Sequence, residues 1–301
     1  MNDNAPEFDA SIVKISVPEN AELQTPIYVA HATDADSAEN GAITYTLARS
    51  NPFTNVFSID RYEGILTLVS QLDYEKEQRY ILLITAKDNG TPSLYSNLTV
   101  DIEVQDVNDN SPKFTKSAYR VNVIESTEVN TQFLQVSATD KDTGNNARLT
   151  YRLKDDVEHF SIFPNSGSIY LKSPLDREKQ DMYSLTVIST DNGSPSRTAT
   201  ATVSIYVLDA NDNAPTFIRD SYEFTVEENG ERGVYVGTLG ATDPDQGNNA
   251  SIRYSLIPGN GSFQVNPLTG KIELYNFLAN NFSDLLILNL ETWVRRAKKL
   301  K

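Results

Sequence analysis

The sequence predicts an all-β fold of tandem sandwiches, and three observations predict it. Short runs of alternating apolar and polar residues recur between Gly, Asn and Pro turns, as half-buried strands do. About seven such runs fall in each stretch of about 100 residues, the strand density of an antiparallel sandwich. A set of acidic motifs repeats at the length of a domain: Asp34, Asp140 and Asp243 stand 106 and 103 residues apart. The chain of 301 residues therefore holds three units, the third cut short.

Residues 1–5 read as the remnant of a preceding linker, because Met1-Asn2-Asp3-Asn4 aligns with 107–110 without the leading Asp. The first unit, 6–110, opens with alternation over 12–17 and reaches Glu19. Asp34 and Asp36 follow, then a β-rich run over 64–68, Leu-Asp-x-Glu at 72–75, and alternation over 98–104. It closes on Asp106-Val107-Asn108-Asp109-Asn110, with Pro112 and Phe114 beyond. Proline fixes the backbone there and Asn and Asp favour turns, so the joint has few residues to flex.

The second unit, 111–213, repeats the order: strands over 119–124, 167–171 and 201–207, Glu125, Asp140 and Asp142, Leu-Asp-x-Glu at 175–178, and 209–213 as the closing segment. The third, 214–278, carries Glu228 and the Asp243/Asp245 pair, and its 270–278 aligns with 64–72. Where Asp-x-Glu should follow, the chain reads Ala279-Asn280-Asn281 and enters a divergent tail, 279–301. The run over 284–296 is acidic first and basic last, which predicts a short C-terminal helix matched to its macrodipole. Such a helix could dock on a membrane or partner; a truncated, alternatively spliced or mispredicted end is the simpler reading. Without its last strands the third unit should expose sheet edges and be unstable alone.

Composition excludes several classes of function. The net charge of −15, with basic residues gathered only at the very end, argues against a nucleic-acid partner. Cysteine is absent, which means little in a cytosolic protein, but in an extracellular one something other than disulfides must brace the units. No basic-then-apolar stretch opens the chain and no apolar run approaches the roughly 20 residues of a membrane span. The opening inside a linker motif marks the sequence as a piece of something longer.

Clusters of carboxylates and amide oxygens without Cys or His are ligand sets for a hard cation, calcium foremost. An EF-hand starting at Asp140 fails, since Gly144, Asn145 and Tyr151 stand where the loop needs an acidic or amide residue, Gly and Glu. A carboxylate-pair hydrolase needs one cleft, whereas this pattern is duplicated at each joint. The only histidines, His31 and His159, are far apart in the repeat, and nucleophilic machinery has no candidate. The chain is read as not an enzyme. Among its Asn-x-Ser/Thr tripeptides, Asn97 is the best glycan acceptor.

The combination of Pro18-Glu19-Asn20, Leu-Asp-x-Glu twice, Asp-x-Asp three times, Asp-x-Asn-Asp-Asn-x-Pro-x-Phe at both joints and Asp-Asn-Gly at 88–90 and 191–193 resembles the cadherin extracellular repeat. The likeness spans roughly residues 1–278, and its Asp-Asn-Gly-x-Pro turns are similar to repeats of the Fat, Dachsous and protocadherin type. It implies tandem seven-stranded Greek-key β-sandwiches in a linear rod, with about three calcium ions at each complete junction. Carried onto this sequence, the first junction would use Glu19, Asp73, Glu75, Asp106, Asn108, Asp109, Asp140, Asp142 and Asp191. The carbonyls of Val107, Asn110 and Asn146 would complete it. The second would use Glu125, Asp176, Glu178, Asp209, Asn211, Asp212, Asp243 and Asp245, with Ala210, Asn213 and Asn249; no partner corresponding to Asp191 is found, so its outermost ion should be held weakly. Asn2, Asp3, Asp34, Asp36 and Asp88 would form an incomplete half-site at the front.

The resemblance further implies calcium-dependent cell–cell adhesion on the extracellular side of the plasma membrane, with other cadherin ectodomains, like or unlike, as partners. A calcium-stiffened spacer or tether is the alternative. The strand-exchange tryptophan of some cadherins has no counterpart, since Trp293 lies in the tail, so these are read as interior repeats. Electrostatics agrees with the resemblance. Like charges about 4 Å apart repel by about 4 kcal/mol at an effective dielectric near 20, so eight carboxylates at the first junction need cations to stay together.

Overall fold

A computed structural model describes residues 1–52, 55–227, 230–256, 261–276 and 285–289, with backbone alone at 49, 50 and 285–289. It is all-β, and its sheets repeat. In the first unit a four-stranded sheet runs Ile12–Pro18, Tyr95–Gln105, Arg79–Asp88, Ile43–Asn51, the first pair parallel and the others antiparallel. A three-stranded sheet of Pro26–Val29, Ile65–Leu68 and Phe57–Ile59 faces it across the core. The short strands Glu7–Phe8 and Ala32–Thr33 pair at one end. The second unit reproduces the same order: Ala118–Ile124, Thr198–Leu208, Met182–Thr190 and Thr150–Leu153 in one sheet, Gln132–Gln135, Ser168–Leu171 and Phe160–Ile162 in the other. The first strand of each large sheet joins its partner in parallel, so each unit closes by a crossover and not by hairpins alone.

Alternation in the sequence becomes alternation in burial. Along Arg79–Asp88, Tyr80, Leu82, Ile84, Ala86 and Asp88 point inward while Arg79, Ile81 and Lys87 face water. Leu66, Leu82, Ile84, Val100 and Ile102 are fully buried in the first core, and Ile169, Leu171, Val187, Val203 and Ile205 in the second. Edge-to-face rings, Phe57 on Tyr80 and Phe160 on Tyr183, add to both. The turn before each central strand needs a left-handed residue. Gly64 and Gly167 adopt φ of +67° and +69°, and a Cβ there would meet the backbone oxygens of Ala30 and Val136 at 2.2 and 2.4 Å.

The third unit keeps the sheet of Tyr235–Thr238, Lys271–Leu274 and Phe263–Val265 and the pair Thr216–Phe217 with Ala241–Thr242. Its buried cluster among the described residues is smaller, built on Tyr222, Leu239 and Ile272. The tail departs from the sequence expectation. Leu285–Asn289 is a strand, antiparallel to Ser221–Thr225, and not the start of a helix. In the complete units the corresponding first strand is covered by the last strand of its own unit. Here, among the described residues, no such last strand covers Ser221–Thr225, and the apolar run Leu285-Leu286-Ile287-Leu288 pairs with its backbone groups instead, outweighing the local charge pattern that favours a helix. The remainder of the expected helix, 284 and 290–296, Trp293 included, lies outside the described residues, as does Glu228. Among the described residues no helix is long and apolar enough to cross a membrane.

Candidate metal centres at the junctions

The acidic motifs converge where one unit meets the next. Glu19 follows the first strand directly and is 2 % exposed. One carboxylate oxygen accepts from the Tyr74 amide at 2.7 Å, the other from the Val107 amide at 2.8 Å. It thereby ties the Leu-Asp-x-Glu turn to the linker. Glu125 does the same in the second unit, accepting from Arg177 and Ala210 amides, each at 2.7 Å.

Around these anchors the carboxylates cluster. Glu19, Glu75 and Asp106 bring ligand atoms within 4.8 Å of one another, and so do Glu75, Asp109 and Asp142. The second junction matches with Glu125, Glu178 and Asp209, then Glu178, Asp212 and Asp245. Glu75 and Glu178 each belong to two groups, so each junction holds two adjoining anionic centres bridged by one carboxylate. Asp142 is buried, at 4 % exposure, although it belongs to the following unit. Each junction is therefore assembled from two units and the segment between them.

The Asp-x-Asp loops owe their position to a tyrosine. Tyr45, Tyr151 and Tyr254 accept through their hydroxyls from the amides of Ala32, Ala138 and Ala241 at 3.0, 2.9 and 3.1 Å. Each bond fixes the residues just before Asp34, Asp140 and Asp243. The tyrosines share the 106- and 103-residue spacing of the aspartates, a signal that could have found them. Within each loop the first Asp accepts from the amide of the second: Asp34 from Asp36, Asp140 from Asp142 and Asp243 from Asp245.

A third constellation lies deeper in the second unit. Asn108, 4 % exposed, donates to Asp191 at 3.1 Å and to the Pro195 carbonyl at 2.6 Å. Gly193 makes room for it: a Cβ there would stand 2.3 Å from the Asn108 amide group. Asp106 accepts from Thr143 and Asn146 across the joint at 2.9 to 3.0 Å. The front of the chain repeats this arrangement, with Asn2 donating to Asp88 at 3.0 Å and to Pro92 at 2.6 Å, while the Asp3 and Asn4 amides donate to Asp36. At the second junction Asn249 donates to Asp209 at 2.7 Å and Asn213 to Asp245 at 2.8 Å, but Asn211 is exposed where its counterpart Asn108 is buried.

Not every expected residue reaches the clusters. Asp73 is drawn away by Lys76 at 2.5 Å, and Asp176 by Lys179 at 2.7 Å, each three residues on. Those ammonium groups hold both aspartates below the usual carboxylate range. Glu75, Asp140 and Asp212 move the other way. Desolvation, with the Glu19 and Asp109 charges adding to it, pushes Glu75 up to about 7. Burial raises Asp140, helped by Asp142 and Asp191, and raises Asp212, helped by Glu125 and Asp245. Asp209 is lowered: burial works against its charge, but bonds from Asn249, Gln246 and Arg177 outweigh it.

The donor set fits a hard cation. Among the described residues, eight buried side-chain polar atoms lack a hydrogen-bond partner, and six belong to the motif residues Asn2, Asp34, Asp106, Asn108, Asp140 and Asp245. Buried oxygens without a donor are costly unless something positive meets them. All the donors are oxygen, and carboxylates shared between neighbouring centres suit calcium over a softer metal.

Comparison with known proteins agrees with this architecture. The cadherin domain family matches residues 13–105, 119–208 and 222–279. Over 97 % of its length the chain is 52 % identical to protein dachsous of Drosophila melanogaster, of which it spans 9 %. Its fold is similar to mouse cadherin-23 EC22-24, with a TM-score of 0.81 and 36 % identity over 92 % of this chain and 90 % of that one. It is also similar to protocadherin gamma B2 extracellular cadherin domains 1-5, with a TM-score of 0.77 and 27 % identity over 92 % of this chain and 54 % of that one.

Proposed function

The chain belongs to the cadherin family, and we propose that it serves calcium-dependent cell–cell adhesion as a stretch of interior repeats stiffened by calcium at their junctions. The observation that supports this best is the pair of anionic centres sharing Glu75, and its copy sharing Glu178. Each draws ligands from two units, so an ion bound there would fix one repeat against the next.

We take the repeats to run 6–110, 111–213 and 214–278, with 1–5 belonging to a preceding linker and 279–301 a divergent tail. At the first junction Glu19, Glu75, Asp106, Asp109 and Asp142 hold two ions, with the Val107 and Asn110 carbonyls. Asn108, Asp140, Asp191 and the Asn146 carbonyl hold a third. Asp73 joins on release from Lys76. At the second junction Glu125, Glu178, Asp209, Asp212 and Asp245 take the corresponding places, with Ala210, Asn211, Asn213, Asp243 and Asn249, and Asp176 joins on release from Lys179. Asn2, Asp3, Asp34, Asp36 and Asp88 form half of a further junction. Bound calcium supplies positive charge that the clustered carboxylates lack, and the protein supplies the geometry.

The partners in this reading are cadherin ectodomains and the setting is the extracellular face of the plasma membrane. We assign the chain no enzymatic role. Asn97 is exposed on the strand Tyr95–Gln105, where its side-chain oxygen accepts from Thr85 at 2.7 Å, and is our candidate for a glycan. Beads coated with the full chain test adhesion directly. Aggregation in about 1 mM calcium, reversed by chelator, supports it at the affinity expected of extracellular calcium modules. Calcium binding without aggregation would leave only a stiffened spacer.

A further inference from the structure

The two junctions differ at one position. In Leu-Asp-x-Glu the first repeat places Tyr74 and the second Arg177. The Arg177 side chain is 8 % exposed. Its Nε donates to Asp209 at 2.7 Å, while Nη2 pairs with Glu178 and donates to the Pro244 carbonyl at 2.9 Å. Glu178 and Asp209 are two of the three carboxylates in the first centre of that junction. Pro244 lies between Asp243 and Asp245 in the third repeat. One guanidinium thus binds two carboxylates of the candidate centre and reaches the neighbouring repeat.

We propose that Arg177 is a resident cation of the second junction, competing with calcium for Glu178 and Asp209 and tying repeat two to repeat three when calcium is low. The inference rests on the calcium reading of the junctions, and it gives the two junctions different calcium requirements. Among the described residues no side-chain cation is bonded to the clustered carboxylates of the first junction: Lys76 is drawn to Asp73 outside them, and Arg197 donates to the Asn108 carbonyl at 2.9 Å and not to a carboxylate. The first should therefore loosen when calcium is withdrawn, and the second should keep part of its order. Calcium must displace the guanidinium from these carboxylates, and one charged hydrogen bond lost is equivalent to about tenfold in affinity.

The experiment uses the full chain. Glu75→Ala removes the carboxylate shared by both centres of the first junction, so calorimetric titration with calcium reads mainly the second, with and without Arg177→Tyr. The expected result is calcium binding about tenfold tighter with tyrosine. In chelator, the same substitution should accelerate hydrogen exchange at Gln246, whose amide donates to the Asp209 carboxylate that Arg177 fixes. The reciprocal Tyr74→Arg, in a Glu178→Ala background that removes the carboxylate shared by both centres of the second junction, should weaken calcium at the first junction by a similar factor, and it stands as a test even if Arg177→Tyr fails to fold. Unchanged affinities and unchanged exchange would overturn the proposal. If neither junction binds calcium, the calcium reading falls, and exchange in chelator still decides whether Arg177 ties the repeats.

Discussion

Gly193→Ala adds one carbon where the linker asparagine is seated. The ideal Cβ would lie 2.3 Å from Cγ and Nδ2 of Asn108 and 2.8 Å from its Cβ, distances that real Cβ contacts do not show. Gly193 is not in the left-handed region, so the cost comes from the contact and not from backbone strain. Asn108 must move away, losing its bonds to Asp191 at 3.1 Å and the Pro195 carbonyl at 2.6 Å. Asp191 is 1 % exposed and loses a partner in a place water does not reach. A charge-assisted bond and a neutral one together contribute about 2–4 kcal/mol, and that is the expected destabilisation. Urea denaturation of the full chain measures it, followed by tyrosine fluorescence. The double variant Gly193→Ala/Asn108→Gly sharpens the test, because with the asparagine side chain gone, its Cβ included, the methyl has room. The account predicts that the double variant is no less stable than Asn108→Gly alone. Gly193→Ala within about 0.5 kcal/mol of the parent, or full additivity in the double variant, would refute the reasoning.

Glu19→Ala removes a buried acceptor of two amides and should cost about 2–4 kcal/mol in chelator, measured by the same denaturation, while also weakening calcium binding at the first junction. In chelator, stability should fall as pH rises. Glu75 holds its proton in the folded state up to about 7 but releases it in the unfolded chain near its ordinary 4.5. Its contribution is fully present below the unfolded value and lost as pH passes the folded one, so the melting temperature should drop between those limits and Glu75→Gln should flatten the profile. Tyr151→Phe keeps the ring and deletes the hydroxyl that accepts from Ala138. It should cost about 1 kcal/mol and weaken calcium at the first junction in a titration, since the loop bearing Asp140 and Asp142 loses its anchor.

Much of this was legible in the sequence because a period does not depend on tertiary context. Alternation over 12–17 and 98–104 became the strands Ile12–Pro18 and Tyr95–Gln105. Repetition of Glu19 and Glu125, and of Asp142 and Asp245, pointed to the residues that now cluster. The rest depended on contacts that spacing does not encode. Lys76 and Lys179 draw off Asp73 and Asp176 through a local three-residue approach. Arg177 stood at a position read as a spacer within the motif, and only its fold across to Pro244 shows what it touches. The tail had the charge order of a helix, but the strand Ser221–Thr225 lies within its reach, and backbone pairing prevailed over residues 285–289. The tyrosines that hold the Asp-x-Asp loops were hidden among the core aromatics, although their spacing matched that of the aspartates.

The central claim is that calcium holds the junctions, and thermal unfolding of the full chain in about 1 mM calcium and in chelator tests it most directly. An ion bound at about 0.1 mM contributes about 1.4 kcal/mol under those conditions, so two at one junction raise a 100-residue repeat by on the order of 10 °C or more. The account predicts a rise of that size, reduced by Asp109→Ala. Identical melting curves with calcium and chelator would contradict it.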